Sequence, residues 1–416
     1  MAMLGIDFGT SNTAAGVMLK GKPFLIPVES GRTTLPTSVF FDIDRRQTYF
    51  GSAANSALID GREGRFMRAL KSVLGTSLMH ETRRIAHERL TLIEVVARFL
   101  EKIRTEAEAS TGLKFDRVLS GRPVQFHSTD QLRNARAEDD LRLAYYTAGF
   151  SEVSFMYEPA AAALTSQPLA KGELGLVIDI GGGTSDFSIF ERDRDAMTVI
   201  ANHGVRIGGT DFDRTLSLSH VMPLLGRAKE IRNELGSGTS VAPNALFNDL
   251  ATWEKIAFIY TPETARMAKL FARLGVDPRP FQRLASVIEM ETGHDIAFAV
   301  EAAKIAANET DSFIDLSVVE TGLSPALRSV DLRQDLKTHA TGIRNCALET
   351  LRIADVPAQR ITRIVFVGGS SLLSIIGEDM GQLFPNAVQE RAAAFTAVAD
   401  GLAIAAASER PSKNLL

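Results

Sequence analysis

The sequence predicts an α/β protein of two duplicated lobes, the second carrying a helical insertion, and three observations predict it. A strand-to-turn signature occurs twice: residues 4–13 read LGIDFGTSNT and residues 175–187 read GLVIDIGGGTSDF. Each is an apolar run, Ile-Asp, one further apolar residue and a Gly/Thr/Ser turn, followed by apolar residues suited to the second strand of a hairpin. Outside these hairpins, short apolar strands alternate with helical patterns, which means layered sheets and helices rather than a β-sandwich. The third observation is that residues 225–310 are almost wholly helical in pattern. Asp7 and Asp179, the two aspartates of the signature, lie 172 residues apart, a domain-sized interval that favours duplication.

Taken in order, residues 4–8 and the AAGVML run make the first hairpin. Between Thr91 and Thr111, Leu92, Val95, Val96, Phe99, Leu100 and Ile103 recur at helical spacing with charge on the opposite face. Residues 117–120 (RVLS) read as a strand, 121–123 (GRP) as a turn and 130–148 as a charged helix. Residues 154–157 form a strand, and Glu158-Pro159 opens an alanine-rich helix. The second lobe repeats the plan with strands at 174–180, 185–191 and 197–202 and a helix starting near Asp211. Its helical block breaks at 236–238, Pro243 and 275–280. Beyond it, the β-branched FIDLSVVE (313–320) reads as a strand, residues around 331–355 as a helix, and 364–367 as a strand ending in a Gly-Gly-Ser-Ser turn. Lobe I is assigned to 1–170 with an insertion at about 40–115, and lobe II to 171–392 with a helical subdomain at about 213–310. Residues 393–416 are assigned to a final helix, 393–408, returning towards lobe I, plus a polar tail.

Composition narrows the function classes. With 416 residues, 45% hydrophobic and 23% charged, the chain has ordinary globular composition and the length of two domains. A net charge of −4 and a pI near 6.0 argue against nucleic acid or an anionic membrane as the main partner. The lone Cys346 excludes a disulfide framework and a cysteine-based zinc site, and reads as a small buried hydrophobe in a reducing compartment. MAMLGIDFG has no basic stretch followed by a long apolar run, and no window of about 18 uncharged apolar residues occurs, so a cytoplasmic location is expected. Of seven histidines only His80 and His87 are close, at a spacing that does not suit a shared metal.

Four glycine turns carry the chemistry: 9–12, 181–186, 207–211 and 368–371. Glycine lets backbone N–H groups approach a ligand, so such turns form anion-binding nests, and the hydroxyls of Thr10, Ser11 and Thr184 can donate to phosphate oxygens. Carboxylates beside phosphate repel it unless a cation intervenes. Asp7, Asp179 and Asp186 therefore imply a hydrated Mg²⁺ held through few direct protein contacts. A single glycine turn is usually only a turn, and a strand-terminal aspartate often just binds its own backbone. Four turns in one chain, two with matching Ile-Asp strands, favour a polyphosphate site between two lobes. Neither GxxxxGK[ST] nor GxGxxG with a downstream ribose carboxylate occurs, which excludes P-loop and Rossmann readings.

LGIDFGTSNT, FMRALKSVLG, YEPAAAAL, VIDIGGGTSDFSIF, IGGTDFD and VGGS, in that order and spacing from about residue 3 to 407, resemble the nucleotide-binding domain of the seventy-kilodalton heat-shock (DnaK-type) chaperones. The resemblance implies the actin-like ATPase fold, two RNase-H-like lobes around a nucleotide cleft, with ATP/ADP and Mg²⁺ as cofactors and K⁺ as a candidate second cation. By position it implies that Asp7 and Asp179 hold Mg²⁺ through its waters. Gly9, Thr10, Ser11 and Asn12 form one phosphate loop, and Gly181, Gly182, Gly183 and Thr184 form the other. Lys71 matches the catalytic lysine that orients the γ-phosphate and attacking water; read on its own it is a solvated helix residue. Asp179, Thr184 and Asp186 position that water. Glu158-Pro159 matches the hinge pair that relays nucleotide state. Gly208, Gly209, Thr210, Gly368, Gly369 and Ser370 line the cleft. Glu301 and Lys304 match the adenosine-facing E-x-x-K, with Ile305, Asn308 and Leu372 completing the nucleotide set.

The resemblance also has departures. Ile305 and Leu372 stand where family members carry arginines that stack on adenine, so weaker or less base-selective binding is expected, at roughly 0.5–2 kcal/mol for each lost cation–π contact. Asn12 stands where the family has tyrosine. Nothing after residue 408 matches the family's peptide-binding domain, and the sequence is expected to be a natural ATPase-only form. The function implied is a DnaK-like ATPase module that binds ATP·Mg²⁺, hydrolyses it slowly and couples nucleotide state to lobe closure. Its co-chaperone, exchange factor or client is unidentified. Alternatives on the same fold are a small-molecule (sugar-type) kinase and a non-hydrolysing nucleotide-binding or filament-forming scaffold.

Overall fold

The repeated signature folds as two hairpins. In the first, β1 (Met3–Phe8) is antiparallel to β2 (Asn12–Leu19), and β3 (Lys22–Leu25) and β4 (Thr34–Pro36) both pair with β2. The computed structural model describes residues 2–29, 31–127, 130–165, 169–170, 172–193, 196–391 and 396–407. An insertion follows: β5 (Ser38–Asp42), β6 (Gln47–Phe50), α1 (Gly51–Ile59), β7 (Gly64–Arg68), the hairpin β8 (Arg83–Ile85) and β9 (Glu88–Leu90), and α2 (Leu92–Thr111). Thr91 and Glu94 cap α2 reciprocally, which fixes its start where the apolar periodicity begins. The chain continues through β10 (Arg117–Arg122), α3 (Gln131–Thr147), β11 (Glu152–Tyr157) and α4 (Glu158–Ala163).

The second hairpin is β12 (Leu174–Ile180) with β13 (Ser185–Asp193), and β14 (Ala196–Val205) pairs beside it. Next come α5 (Gly209–Leu216), the hairpin β15 (Glu230–Arg232) and β16 (Thr239–Val241), and α6 (Ala245–Leu250). They are followed by α7 (Trp253–Ile256), α8 (Pro262–Leu274), α9 (Pro278–Glu289), α10 (Gly293–Ala307), β17 (Ser312–Phe313) and β18 (Ala326–Leu327). The long α11 (Ser329–Ala354) leads to β19 (Ile361–Val367), α12 (Ser374–Leu383), β20 (Val388–Arg391) and α13 (Ala397–Ala407).

The two main sheets have one topology. The first runs β11-β10-β1-β2-β3 and the second β20-β19-β12-β13-β14. In each, the signature strand is antiparallel to its hairpin partner and parallel to the strand on its other side. Both outer parallel strands repeat as well, β11 on β10 and β20 on β19. The helices that follow these outer strands are exchanged: α4 packs on β12 and β13, whereas α13 packs on β1 and β2. The two helices also pack on each other, and their small residues explain how closely. A Cβ on Gly401 would lie 1.9 Å from the Ala161 carbonyl oxygen, and one on Gly5 2.9 Å from Leu402 and Ala403. Ala160 to Ala163, Val177, Phe190, Val365, Val398 and Leu402 share one buried cluster there.

The chain divides into two units, Met1–Gly209 with Ala340–Leu416, and Thr210–His339. The first contains both main sheets. In the second, α8 packs on α9, and Trp253 meets Phe298 edge-on with ring centroids 5.1 Å apart.

Three expectations need correcting. The block at 225–310 is not wholly helical, because residues 230–241 form the β15–β16 hairpin around the Gly236-Ser-Gly238 break. FIDLSVVE is a strand only as far as Phe313: the Asp315 carboxylate accepts from both the N–H and the hydroxyl of Ser317, a local turn that ends extended backbone. The supposed turn at 121–123 is strand up to Arg122, because Gly121 and Arg122 stay in register with Met156 and Tyr157. The last helix is described from Ala397; residues 393–395 and 408 lie outside the described residues.

Candidate functional site

The four glycine turns meet in the first unit. A Cβ on Gly182 would lie 2.5 Å from Ser11 Oγ and 2.9 Å from Thr10 Cβ, so the two phosphate-loop candidates face each other directly. A Cβ on Gly183 would lie 3.2 Å from Thr10 Oγ1 and 3.3 Å from Ser72 Oγ. The third turn packs beneath: a Cβ on Gly208 would come within 2.5 Å of Gly183 N, and Gly209 N–H donates to Gly181 O at 3.0 Å. The fourth joins through Gly368, whose φ of +80° only glycine adopts readily; a Cβ there would lie 2.8 Å from Asp179 Oδ1. Ser370 completes the contact, its Oγ 2.5 Å from where a Gly209 Cβ would stand. Within the first turn, a Cβ on Gly9 would lie 2.2 Å from Asn12 O, so that turn has no room for a side chain either.

Five charged side chains converge on these turns. Lys71 sits on a single 3-10 turn, Leu70–Val73, entered through Ala69 in the left-handed region. It is not solvated, contrary to what its local sequence suggests. Its ammonium is buried and donates to Glu158 Oε1 at 2.6 Å, a bond that spans 87 positions of sequence. Burial alone would lower the Lys71 pKa, but the Glu158 and Asp7 carboxylates outweigh it and hold it above its ordinary value. Burial, then the Glu158 charge, pushes Asp7 up to about 7 although Lys71 opposes. Burial, then Glu158, Asp7 and Asp186, holds Asp179 well above the usual carboxylate range. Burial and Glu158 likewise raise Asp186 to about 7, even though its Oδ1 accepts Val124 N–H at 2.7 Å.

Four carboxylates against one ammonium leave an excess of buried negative charge. That donor set fits a divalent cation. Among the described residues no group of three or more His, Cys, Asp or Glu is arranged as direct metal ligands. An ion here would therefore keep most of its water, as Mg²⁺ commonly does.

Residues outside the signatures fix the Lys71 turn, and the sequence reading missed them. Asp140 on α3 accepts Gly75 N–H at 2.7 Å and pairs with His80 Nε2 at 2.9 Å. His127 Nε2 bonds Leu74 O at 2.7 Å, and Arg206 donates to Ser72 O at 3.2 Å. His87 bonds Ile43 O, so the two neighbouring histidines have separate partners.

The remaining candidates are placed as follows. Leu372 is half-buried on the 3-10 turn Gly369–Leu372, beside Ser370. Thr210 begins the second unit, which also holds Glu301, Lys304, Ile305 and Asn308. Lys304 is buried there and donates to Asp213 Oδ1 at 2.6 Å, while Asp213 Oδ2 accepts Trp253 Nε1 at 3.2 Å. Ile305 is 64% exposed, and Asn308 is the C-cap of α10. A cavity of about 510 Å³ lined by Pro27, Leu35, Tyr49, Phe50 and Lys102 contains none of the candidate residues.

Residues 3–234 match the family model described as Hsp70 protein, more than half of the chain. The chain belongs to the Hsp70 family. Its fold is accordingly the actin-like ATPase fold, and the Hsp70 family is a family of ATPases. The match takes in three of the glycine turns with Asp7, Lys71, Glu158, Asp179 and Asp186; the Gly368 turn lies beyond it. Similar Hsp70-family relatives are the "Chaperone protein DnaK" of Thermoplasma acidophilum, 33% identical over 221 residues, and that of Thermoplasma volcanium, 33% identical over 222. Each alignment covers 51% of this chain and 34% of the relative, so the matched part spans about a third of the length of these curated relatives. No described helix is long and apolar enough to cross a membrane.

Proposed function

We propose that this Hsp70-family chain is an ATP·Mg²⁺-binding module that hydrolyses ATP slowly and couples nucleotide state to closure of its two lobes. The observation that carries this reading is the meeting of two Ile-Asp strand ends, four glycine turns and the Lys71–Glu158 pair in one unit. Gly9 to Asn12 and Gly181 to Thr184 would bind the phosphates through backbone N–H groups and hydroxyls, with the backbone pre-set for the anion. Asp7 and Asp179 would hold Mg²⁺ through its waters, and that ion would supply charge neutralisation on the phosphate oxygens. Lys71 would orient the γ-phosphate and the attacking water, while Asp186, fixed by Val124 N–H, and Thr184 position that water. Gly208, Gly209, Gly368 and Ser370 support the loops by close packing.

A second reading, nucleotide binding without turnover, is favoured by one observation: the Glu158 carboxylate accepts from the Lys71 ammonium at 2.6 Å and so competes with phosphate for that donor. Isothermal titration with ATP, ADP and GTP, run beside a single-turnover hydrolysis assay, separates the two. Mg²⁺-dependent ATP binding with hydrolysis supports the first, binding without hydrolysis the second, and no binding removes both. ATP and GTP are expected to bind within about tenfold of each other, given Ile305 and Leu372. Sugar acceptors added to the same assay test the kinase alternative.

A further inference from the structure

The turn that carries the Lys71 ammonium is weakly held by its own hydrogen bonds. It is a single 3-10 turn, Leu70–Val73, entered through Ala69 at a φ of +59°. Its closing bond, from Leu74 N–H to Lys71 O, is long at 3.4 Å. Its geometry is therefore set by what grips its two ends. The leading end follows β7, whose last residue, Arg68, is in register with Ser38 of β5. The trailing end runs into Gly75, which lies against α3. At its φ of +78°, a Cβ there would come within 2.4 Å of Arg133 O and 3.1 Å of Ala137 N.

Asp140 makes the second grip. It stands on α3 and is 4% exposed; its Oδ2 accepts Gly75 N–H at 2.7 Å, and its Oδ1 meets His80 Nε2 at 2.9 Å. Burying a carboxylate costs free energy that hydrogen bonds of this kind must offset, and a glycine offers only its backbone to be held by. The helix that carries Asp140 is itself fastened to the first main sheet. Tyr145, further along α3, shares a buried hydroxyl–hydroxyl hydrogen bond of 2.9 Å with Ser120. Ser120 is in register with Ile6, and the next residue of β1 is Asp7. Gly75, Asp140, Tyr145 and Ser120 thus connect the Lys71 turn to the strand end that carries Asp7.

We propose that Asp140 is a positioning residue: it sets where the Lys71 ammonium stands relative to Asp7, acting through the Gly75 N–H and touching no reacting atom. That this placement serves hydrolysis rests on the ATPase reading; the placement itself does not.

The test measures Lys71 first and turnover second. The nucleotide-free full chain is pulse-labelled with acetic anhydride and acetylation is mapped by mass spectrometry. Lys304, buried and ion-paired in the second unit, is the internal reference for global unfolding. The parent is compared with Asp140→Ala, Asp140→Asn and Gly75→Ala. The last pushes the turn off Arg133 O without altering Asp140, and serves should Asp140→Ala fail to fold. In Asp140→Ala and Gly75→Ala, acetylation of Lys71 is expected to rise about tenfold or more while Lys304 stays as slow as in the parent. Single-turnover ATP hydrolysis is expected to fall by about tenfold to a hundredfold with ATP affinity within about threefold, since placement and not binding is lost. Asp140→Asn, whose amide oxygen can still accept Gly75 N–H, is expected to restore both protection and rate. Unchanged protection of Lys71 overturns the proposal. So does a parallel rise at Lys71 and Lys304, which is loss of global stability alone, or an Asp140→Asn no better than Asp140→Ala. Should Lys71 be released as described while the parent neither binds nor hydrolyses ATP, the ATPase reading fails and the hold of Asp140 on Lys71 stands.

Discussion

Asp186 is where the charge of the site can be measured as stability. Its side chain is 1% exposed and faces Asp179 directly across the β12–β13 pair, a like-charge register that sheets disfavour. Burial and Glu158 raise its carboxyl from the ordinary 3.8 to about 7, although the Val124 N–H, the Thr184 side chain and Lys71 all pull the other way. The unfolded chain releases this proton near pH 4 and the folded chain only near pH 7. The group's contribution is therefore complete below about pH 4 and is lost as the pH rises to about 7. At 1.36 kcal/mol per unit, the loss is on the order of 4 kcal/mol. Asp186→Asn cannot ionise but keeps an oxygen to accept Val124 N–H. In EDTA and without nucleotide, the variant is expected to be about 3–4 kcal/mol more stable than the parent at pH 8, and within about 1 kcal/mol of it near pH 4.5. Urea denaturation followed by circular dichroism across that range measures the difference. A gain that does not grow with pH, or a variant less stable than the parent at pH 8, would refute the charge argument. Hydrolysis in the same variant is expected to fall at least about a hundredfold.

Lys71→Ala strands a buried Glu158, so it should cost about 3–5 kcal/mol of stability and abolish single-turnover hydrolysis while ATP binding stays detectable by titration. Unchanged turnover would remove Lys71 from the chemistry. Gly208→Ala drives a methyl into the Gly182–Gly183 backbone, so ATP affinity should drop by about tenfold or more and the melting temperature should fall with it. Gly401→Val pushes α13 off the Ala161 carbonyl and should cost about 3 kcal/mol, measured by denaturation. Cys346 is 4% exposed, and burial, then Asp186 and Glu349, push its thiol up, so a thiol reagent at about pH 8 should label it only after unfolding.

The features legible in the sequence are those set by local pattern. β12 was bounded at 174–180 because every residue in it is buried and the apolar run admits no other period. α2 is legible from the stripe of Leu92, Val95, Val96, Phe99, Leu100 and Ile103, to which the structure adds the Thr91–Glu94 cap that sets its start. The glycine turns were legible because an Ile-Asp strand followed by glycines makes no sense in a dry core. Features that depend on distant partners were not legible. Nothing around Lys71 announces that Glu158, 87 positions on, will bury it, or that Asp140 will hold Gly75 and His80 from 65 and 60 positions away. Val124 holds Asp186 through a backbone N–H, which leaves no mark in residue type at all. FIDLSVVE failed for the opposite reason, since its β-branched content was real but a local Asp315–Ser317 turn overrode it.

The exchange of α4 and α13 gives the site its mechanical meaning. Glu158, the partner of Lys71, is the first residue of α4, and the rest of that helix lies on β12, β13 and α13. The contact with α13 is backbone against backbone at Gly401, so α4 cannot shift without moving the helix that covers β1 and β2. A phosphate that drew the Lys71 ammonium from Glu158 would leave a buried carboxylate unpaired at the head of this exchanged pair. The expected response is movement of Glu158 towards water, which would act on the element shared by the two sheets. On the proposed reading, coupling between the phosphate loops and the arrangement of the sheets would run through one ion pair placed at one helix start, and Glu158→Gln is expected to weaken it.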